Sequence, residues 1–222
     1  MSVDPLGGQA RVDALNVGQT RELTFGTVVV ATAIWKSPVT GRRQVRRLGV
    51  EGDQQADLRA HGGPGKAVYA YASESAAWWA ADLGTGELPQ GMFGENLTTS
   101  GLDVDGAVVG ELWRVGSTLL QVSQPRVPCY KLAIRFDDPE IPRRFAAAGR
   151  PGAYLRVLEE GELGAGDGVL VEDRPDHGVS VADVSAAYHS HDVALAARLL
   201  DVDDLDDSWK AWARRRVDRH HS

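Results

Sequence analysis

Cys129 is the only cysteine in the chain and its strongest candidate for chemistry. It follows Pro125 and Pro128, which predict a stiff, extended loop because proline fixes φ and keeps the residue before it out of the helical region. Arg126 and Lys131 bracket the thiol, and nearby positive charge favours the thiolate, which attacks electrophiles or ligates a soft metal. The alternative is that Cys129 is a small buried hydrophobe, as lone cysteines often are.

Other polar residues fall in loops that a β-rich fold would gather at one rim. These stretches are Lys36-Ser37, Arg59 with His61, Glu95-Asn96, and the Cys129 loop. Their cations predict an anion-binding pocket, to which the glycines at 62–63 add free backbone N–H donors. For each cation taken alone, a solvated surface position is the simpler explanation, and for His61 it is a hydrogen-bonded loop position.

Several alternative chemistries have weaker support. One cysteine and scattered histidines provide no recognised zinc spacing, and no flavin, haem or iron–sulfur motif is visible. The set Cys129, His61 and Asn96 matches the residue types of a cysteine protease or acyltransferase. None of the local cysteine-protease signatures surrounds Cys129, so this hydrolase hypothesis rests on residue types alone.

The composition is that of an ordinary globular protein. The chain has 222 residues, of which 43% are hydrophobic and 25% charged, and a net charge of -7. An acidic protein is a poor ligand for nucleic acid or an anionic membrane surface, so neither is expected as a partner. One cysteine excludes an internal disulfide. We read no signal peptide and no apolar run of membrane-spanning length, and we expect a cytoplasmic protein.

Many short apolar segments separated by Gly, Pro and Asp predict a mainly β fold of the α+β class, either a barrel or a sandwich. Two helices are expected, at 74–83 and 143–148. The expected strands, of which the first is β-branched and should be buried, are 27–35, 45–50, 67–71, 108–109, 112–115, 119–122, 153–158 and 169–172.

A change of composition near residue 175 predicts two domains, 1–175 and 176–222, the second consisting of three short helices. Ser180 begins a capping box with Asp183, and Asp192 is a cap for the next helix. The third helix has Trp209 and Trp212 on one side. The narrow apolar faces imply that these helices pack on something larger.

Four ordered motifs resemble those of the MOSC domain family, and most closely its YiiM-like branch, whose members carry a three-helix C-terminal extension. The motifs are Gly52-Asp-Gln-Gln-Ala-Asp57, His61-Gly-Gly-Pro-Gly-Lys-Ala-Val-Tyr69, Phe93-Gly-Glu-Asn-Leu97, and Val122-Ser-Gln-Pro-Arg-Val-Pro-Cys-Tyr-Lys-Leu132. The resemblance covers nearly the whole chain and implies a MOSC-type β-barrel with a few short helices, followed by the helical extension.

The resemblance also implies a site for molybdenum cofactor, a molybdenum dithiolene on a pterin that ends in a phosphate. Cys129 would be the molybdenum ligand, and His61 would be a catalytic proton donor that orients substrate with Asn96. The residues implied to hold the cofactor are Lys36, Ser37, Arg59, Asn96, Gln124, Arg126 and Lys131. In the related mitochondrial amidoxime-reducing component an arginine directly precedes the cysteine, whereas here Val127-Pro128 intervene. Molybdenum ion binding and pyridoxal phosphate binding are further family-level associations.

The implied activity is two-electron reduction of small N-hydroxylated compounds such as hydroxylaminopurine-type bases, with electrons from a separate reductase. The helical extension would either dock that partner or cover a barrel edge. A second hypothesis is a carrier that holds cofactor or a persulfide on Cys129 without turnover. The hydrolase remains a third. The oligomeric state does not follow from the sequence.

Overall fold

The computed structural model describes residues 9–56 and 62–221, without the side chain of residue 221. Within these ranges the chain forms short strands and six α-helices. The strands are β1 (Arg11–Val17), β2 (Arg21–Phe25), β3 (Val28–Thr32), β4 (Ser37–Pro38), β5 (Arg43–Arg46), β6 (Gly49–Val50), β7 (Val68–Ala72), β8 (Leu97–Ser100), β9 (Leu112–Val115), β10 (Thr118–Pro125), β11 (Ala153–Glu159), β12 (Gly161–Leu163) and β13 (Val169–Asp173). The helices are α1 (Ser73–Leu83), α2 (Tyr130–Phe136), α3 (Ile141–Ala148), α4 (Val181–Ser190), α5 (Val193–Arg198) and α6 (Asp207–His221).

The largest sheet has eight strands in the order β13-β9-β10-β11-β7-β8-β1-β4. All neighbours are antiparallel except β7 and β8. The start of β1 meets the segment before β13 over a few residues: Arg11 forms one bridge with Gly168, and three backbone hydrogen bonds of 2.8–2.9 Å join residues 10–12 to residues 166–169. The expected α+β fold is confirmed, but no continuous ladder among the described strands closes a barrel. Strand β4 pairs with the other end of β1, at Asn16 and Val17.

Two smaller sheets correct the expected strands near the N-terminus. Segment 27–35 was expected to be a buried strand. It contains β3, which pairs with β2 in a two-stranded hairpin that is largely exposed, and only its end, at Thr32 and Ile34, is buried. Val28 and Val29 are 59% and 62% exposed. Residues 45–50 divide between β5 and β6, which pair with each other, and β5 also pairs with β12. The apolar, β-branched composition therefore predicted a strand, but it did not predict whether that strand is buried or exposed.

Most of the remaining expected elements are confirmed within a few residues, including α1, α3, β7, β9, β11 and β13. Strand β10 is longer than expected, running to Pro125. Helix α2 was not expected, because its seven residues are too few to establish a helical period. Segment 108–109 contributes only an isolated bridge, between Val108 and Ser180.

The C-terminal helices pack on the large sheet, as their apolar faces predicted. Ser180 and Asp183 form the expected capping box of α4, and Asp192 caps α5. Helix residues such as Val184 and Ala196 belong to the same core cluster as the sheet. The contacts reach β10, which is an interior strand, so the helices do more than cover an edge. The division of the chain at residue 175 remains a prediction.

A separate aromatic cluster lies under α1, α2 and α3. Tyr71 stacks on Phe93 with ring centroids 4.2 Å apart, and Trp79 stacks on Phe145 at 6.1 Å. These rings fix the loop that contains Phe93, which matters because that loop forms part of the wall around Cys129. No helix in the described parts of the chain is both long and apolar enough to cross a membrane.

Candidate functional site

Cys129 lies where β10 gives way to α2. The last residue of β10, Pro125, still pairs with Ala153 of β11, but the chain is irregular from there to Cys129. Cys129 has an extended backbone conformation and is the N-cap residue of α2, and its carbonyl accepts a hydrogen bond from the Leu132 N–H at 2.9 Å. Cys129 thus lies in an irregular, extended segment that follows the prolines, as expected. Cys129 is half-buried and lines two cavities.

The first cavity is rich in positive charge. Its described lining contains four basic side chains and one carboxylate, namely Lys36, Lys66, Arg126, Lys131 and Asp53. These come from separate parts of the sequence and surround Cys129 and Asn96 in a protein whose net charge is -7. The cavity is therefore a local positive site in an acidic molecule, which is the arrangement that attracts an anion.

Lys36 and Asp53 form a buried ion pair, with exposed fractions of 8% and 4%. The Asp53 carboxylate also accepts hydrogen bonds from the Asn96 side-chain amide at 2.9 Å and the Gly18 N–H at 2.8 Å. Burial lowers the pKa of Lys36, although the Asp53 carboxylate opposes that shift. Because each partner compensates the other, the pair fixes the position of a cation that would be costly to bury alone.

Arg126 is also buried and is held by backbone and rings. Its guanidinium donates to the Phe93 carbonyl and lies 5.3 Å from the centroid of the Tyr69 ring. The same loop is tied by Glu95, which accepts from the Gly91 N–H at 2.6 Å and from the Phe93 N–H at 3.0 Å. Burial raises the pKa of Glu95, while these N–H donors oppose the rise.

The second cavity lies between the Cys129 loop and the C-terminal helices and has a volume of about 320 Å³. One wall is Pro125, Val127 and Pro128. The other is an aromatic wall, which we define as Tyr188, Trp209 and Trp212. Three side chains line both cavities: Lys66, Cys129 and Tyr154. The thiol therefore lies at the junction of a cationic cavity and an aromatic one.

The structure brings together five of the predicted site residues around the first cavity, namely Lys36, Asn96, Arg126, Cys129 and Lys131. Gln124 lines the second cavity. Its amide is held at both ends, because Nε2 donates to the Gly65 carbonyl at 3.1 Å and Oε1 accepts from Trp209 Nε1 at 2.9 Å. Ser37 is exposed in β4 and lines neither cavity. Arg59 and His61 lie outside the described residues, and the assigned roles of all these residues remain predictions.

Sequence reasoning gave no role to several residues that line the site. Asp53 occurs in the first quoted motif, but its bonds to Gly18, Lys36 and Asn96 could not be read from that motif. Lys66 occurs in the second quoted motif without an assigned role, and Tyr154 carried no signal of its own. The tryptophans of α6 were expected only to pack, and they do pack, but they also line a cavity. Within the described residues, no group of three His, Cys, Asp or Glu side chains could hold a metal ion.

Comparison with known proteins identifies the family. A model of the MOSC domain matches residues 57–170. The chain belongs to the MOSC domain family. Protein YiiM of Escherichia coli is 36% identical over 193 residues, which cover 83% of this chain and 84% of that protein. The crystal structure of YiiM from Geobacillus stearothermophilus has 30% identity and a TM-score of 0.78, and the match covers 94% of this chain and 99% of that one. The chain therefore belongs to the YiiM-like branch.

A further relative extends the comparison beyond bacteria. A Gibberella moniliformis protein named reductase is 32% identical over 173 residues. The matched region is 75% of this chain but only 30% of that protein. The shared region is thus one part of a longer chain.

Proposed function

We propose that this protein is a molybdenum-cofactor-dependent reductase of N-hydroxylated compounds, with Cys129 as the molybdenum ligand and electrons from a separate reductase. The observation that carries the proposal is the position of the only thiol in the chain. It lines a cavity with four basic side chains, although the protein as a whole is acidic. Family membership and the reductase name of one relative add support.

The chemistry of the donor set fits the cofactor. A thiolate is a soft ligand that suits a thiophilic metal. Lys36, Arg126 and Lys131 would bind the phosphate and the acceptor atoms of the pterin, because charge-assisted hydrogen bonds to such groups are the strong ones. When bound, the cofactor supplies a two-electron reduction that converts an N–OH group and two protons to N–H and water.

The residues of the chain would orient the reactants and hold protons. Arg126 and the Lys36–Asp53 pair are buried, so their geometry is set before any ligand enters. Tyr154 lines both cavities beside Cys129, and its ring centroid is 4.9 Å from that of Tyr69. Burial raises the pKa of Tyr154, with Arg126 opposing the rise, so its hydroxyl stays protonated at neutral pH. Tyr154 is therefore a proton-holding group beside the thiol, in addition to the predicted donor His61.

The first test is the molybdenum and pterin content of the full chain, expressed in a host replete with the cofactor. We expect near-stoichiometric metal in the wild type and almost none in Cys129→Ala. Arg143→Ala is the matched control, because it removes a cation that is 76% exposed and outside both cavities. The loaded protein, supplied with a flavin reductase or chemical electron donor, should then reduce 6-hydroxylaminopurine.

The outcomes separate the alternatives. Bound molybdenum without reduction of N–OH compounds would favour a cofactor carrier. No metal in either protein, together with a readily alkylated Cys129, would overturn the reductase proposal. Acylation of Cys129 with turnover of an ester would favour the hydrolase.

A further inference from the structure

The second cavity has the properties of a site for a flat ring. We infer that it binds the planar heteroaromatic ring of the substrate, with Tyr188 and Trp212 as the stacking surface. This inference rests on the proposed function and adds to it the surface of this chain that would hold the ring of the substrate. The volume of about 320 Å³ is at the lower end for ligand pockets, which suits a ligand of one or two rings.

The aromatic wall is held together by its own contacts. The Tyr188 ring centroid is 5.4 Å from that of Trp209 and 5.3 Å from that of Trp212. Trp209 is buried and its indole N–H is bonded to Gln124, so it supports the other two rings. Tyr188 and Trp212 are only partly buried. Packing within the helices therefore accounts for Trp209, but it leaves part of Tyr188 and Trp212 directed to the cavity.

The other lining residues suit the same ligand. Pro125, Val127 and Pro128 also present apolar surface to this cavity. A flat ring between aromatic and proline surfaces is desolvated on both faces, and base–aromatic stacking tolerates many ring types. Gln124 and Ser208 also line this cavity, but the Gln124 amide is already bonded to Gly65 and Trp209, and the Ser208 hydroxyl donates to Asp206. Recognition of the ligand is therefore expected through the faces of its ring and not through its edge.

The distribution of charge assigns this cavity to the substrate and the other to the cofactor. Lys66 is the one cation among the described residues of the second cavity, and it is shared with the first. A ligand that ends in a phosphate should prefer the first cavity, with its four basic side chains. A neutral ring should prefer the second. Because Cys129 lines both, a ring in the aromatic cavity would lie next to the thiol.

The test compares two N–OH compounds, 6-hydroxylaminopurine and acetohydroxamic acid, which has no ring. For Trp212→Ala we expect the KM for 6-hydroxylaminopurine to rise about tenfold, the effect of one lost stacking contact. The kcat/KM for acetohydroxamic acid should not change. Trp212→Phe should recover most of the loss, because it restores an aromatic face. Trp78→Ala is the matched control: Trp78 is a partly exposed tryptophan of α1 that lines neither cavity.

A second measurement does not depend on turnover. Equilibrium dialysis of adenine against the full chain, with and without cofactor, should show binding that Trp212→Ala weakens and Trp78→Ala does not. Such binding supports the ring site even where no N–OH compound is reduced, which would contradict only the proposed function. Reduction that is equally impaired for both compounds, or loss of pterin from Trp212→Ala, would overturn the ring site.

Discussion

The two cavities that meet at Cys129 are built by different interactions. The first is organised by charge: a buried ion pair, a buried guanidinium, and amides that complete their hydrogen bonds. The second is organised by ring packing between a proline-rich loop and two C-terminal helices. The first depends on β-sheet loops and α2, whereas the second needs the helical extension, because Tyr188 belongs to α4 and the tryptophans to α6.

This difference implies different responses to mutation. A buried charge is costly once it loses its partner, so a single substitution in the first cavity should cause a large loss of stability. Ring packing is spread over many weak contacts, so a single substitution in the second cavity should cause a smaller loss. The two cavities also differ in the proposed ligand, which is an anion for the first cavity and a flat ring for the second. The four predictions that follow run from the largest expected effect to the smallest.

Asp53→Ala should have the largest effect on stability. It leaves Lys36 buried without its carboxylate and removes the acceptor of the Asn96 amide and the Gly18 N–H. Breaking a buried ion pair in this way costs about 3 to 5 kcal/mol. Urea denaturation followed by circular dichroism would measure the free energy of unfolding.

The double variant Lys36→Met with Asp53→Ala tests the cause. It removes both charges, so it should be more stable than Asp53→Ala alone. Glu140→Ala, which breaks an ion pair with Arg143 at 58% and 76% exposure, should change stability by less than about 1 kcal/mol. A double variant no more stable than the single one would show that charge burial is not the cause.

The sequence predicted the first cavity better than the second, for a physical reason. The cations and Cys129 are unusual residue types in polar loops, and loops that follow neighbouring strands meet at one rim. The contact between Gln124 and Trp209 joins residues 85 positions apart, and nothing in either segment indicates it. The caps at Ser180 and Asp192 gave the helix starts correctly because capping is a local interaction.

The exposed hairpin of β2 and β3 illustrates what local patterns leave open. Its valines have the β-branched composition of an interior strand, which is why the sequence indicated burial. Burial is decided by what packs above the strand, and Val28 and Val29 remain more than half exposed although the Tyr130 ring lies 6.0 Å from that of Phe25. The family resemblance supplied the MOSC fold, but neither it nor the pattern located the hairpin.

Gly94→Ala should have the next largest effect on stability. It changes no charge, but it introduces a steric contact and backbone strain in the lining of the first cavity. Gly94 has a φ of 73°, and an added Cβ would lie 2.9 Å from Ile34 Cγ1. Backbone strain and this contact together should cost about 2 kcal/mol. Gly149→Ala is the matched control, since Gly149 has a φ of 65° with nothing within 4 Å of the added Cβ. Its cost should be smaller, and equal costs would mean that the contact with Ile34 is relieved at no expense.

Trp209→Phe should weaken the second cavity by a smaller amount. It keeps an aromatic ring but removes the N–H that bonds Gln124 Oε1 in a buried setting. An unsatisfied buried acceptor costs about 1 to 2 kcal/mol. Thermal unfolding would measure this, and the molybdenum content should stay at the wild-type level. A fall in molybdenum content would contradict the separation of the two cavities, because Trp209 lines only the second.

Ser180→Ala should have the smallest effect and should act on the second cavity from a distance. The Ser180 hydroxyl accepts the Asp183 N–H at 3.1 Å, and loss of such a cap costs about 1 kcal/mol. Because α4 carries Tyr188, amide hydrogen exchange should accelerate across 181–190. It should stay at the wild-type rate across 91–96, where Glu95 and Arg126 hold the first cavity. Faster exchange in both segments would mean that the two cavities open as one cooperative unit, and that their different construction gives them no independence.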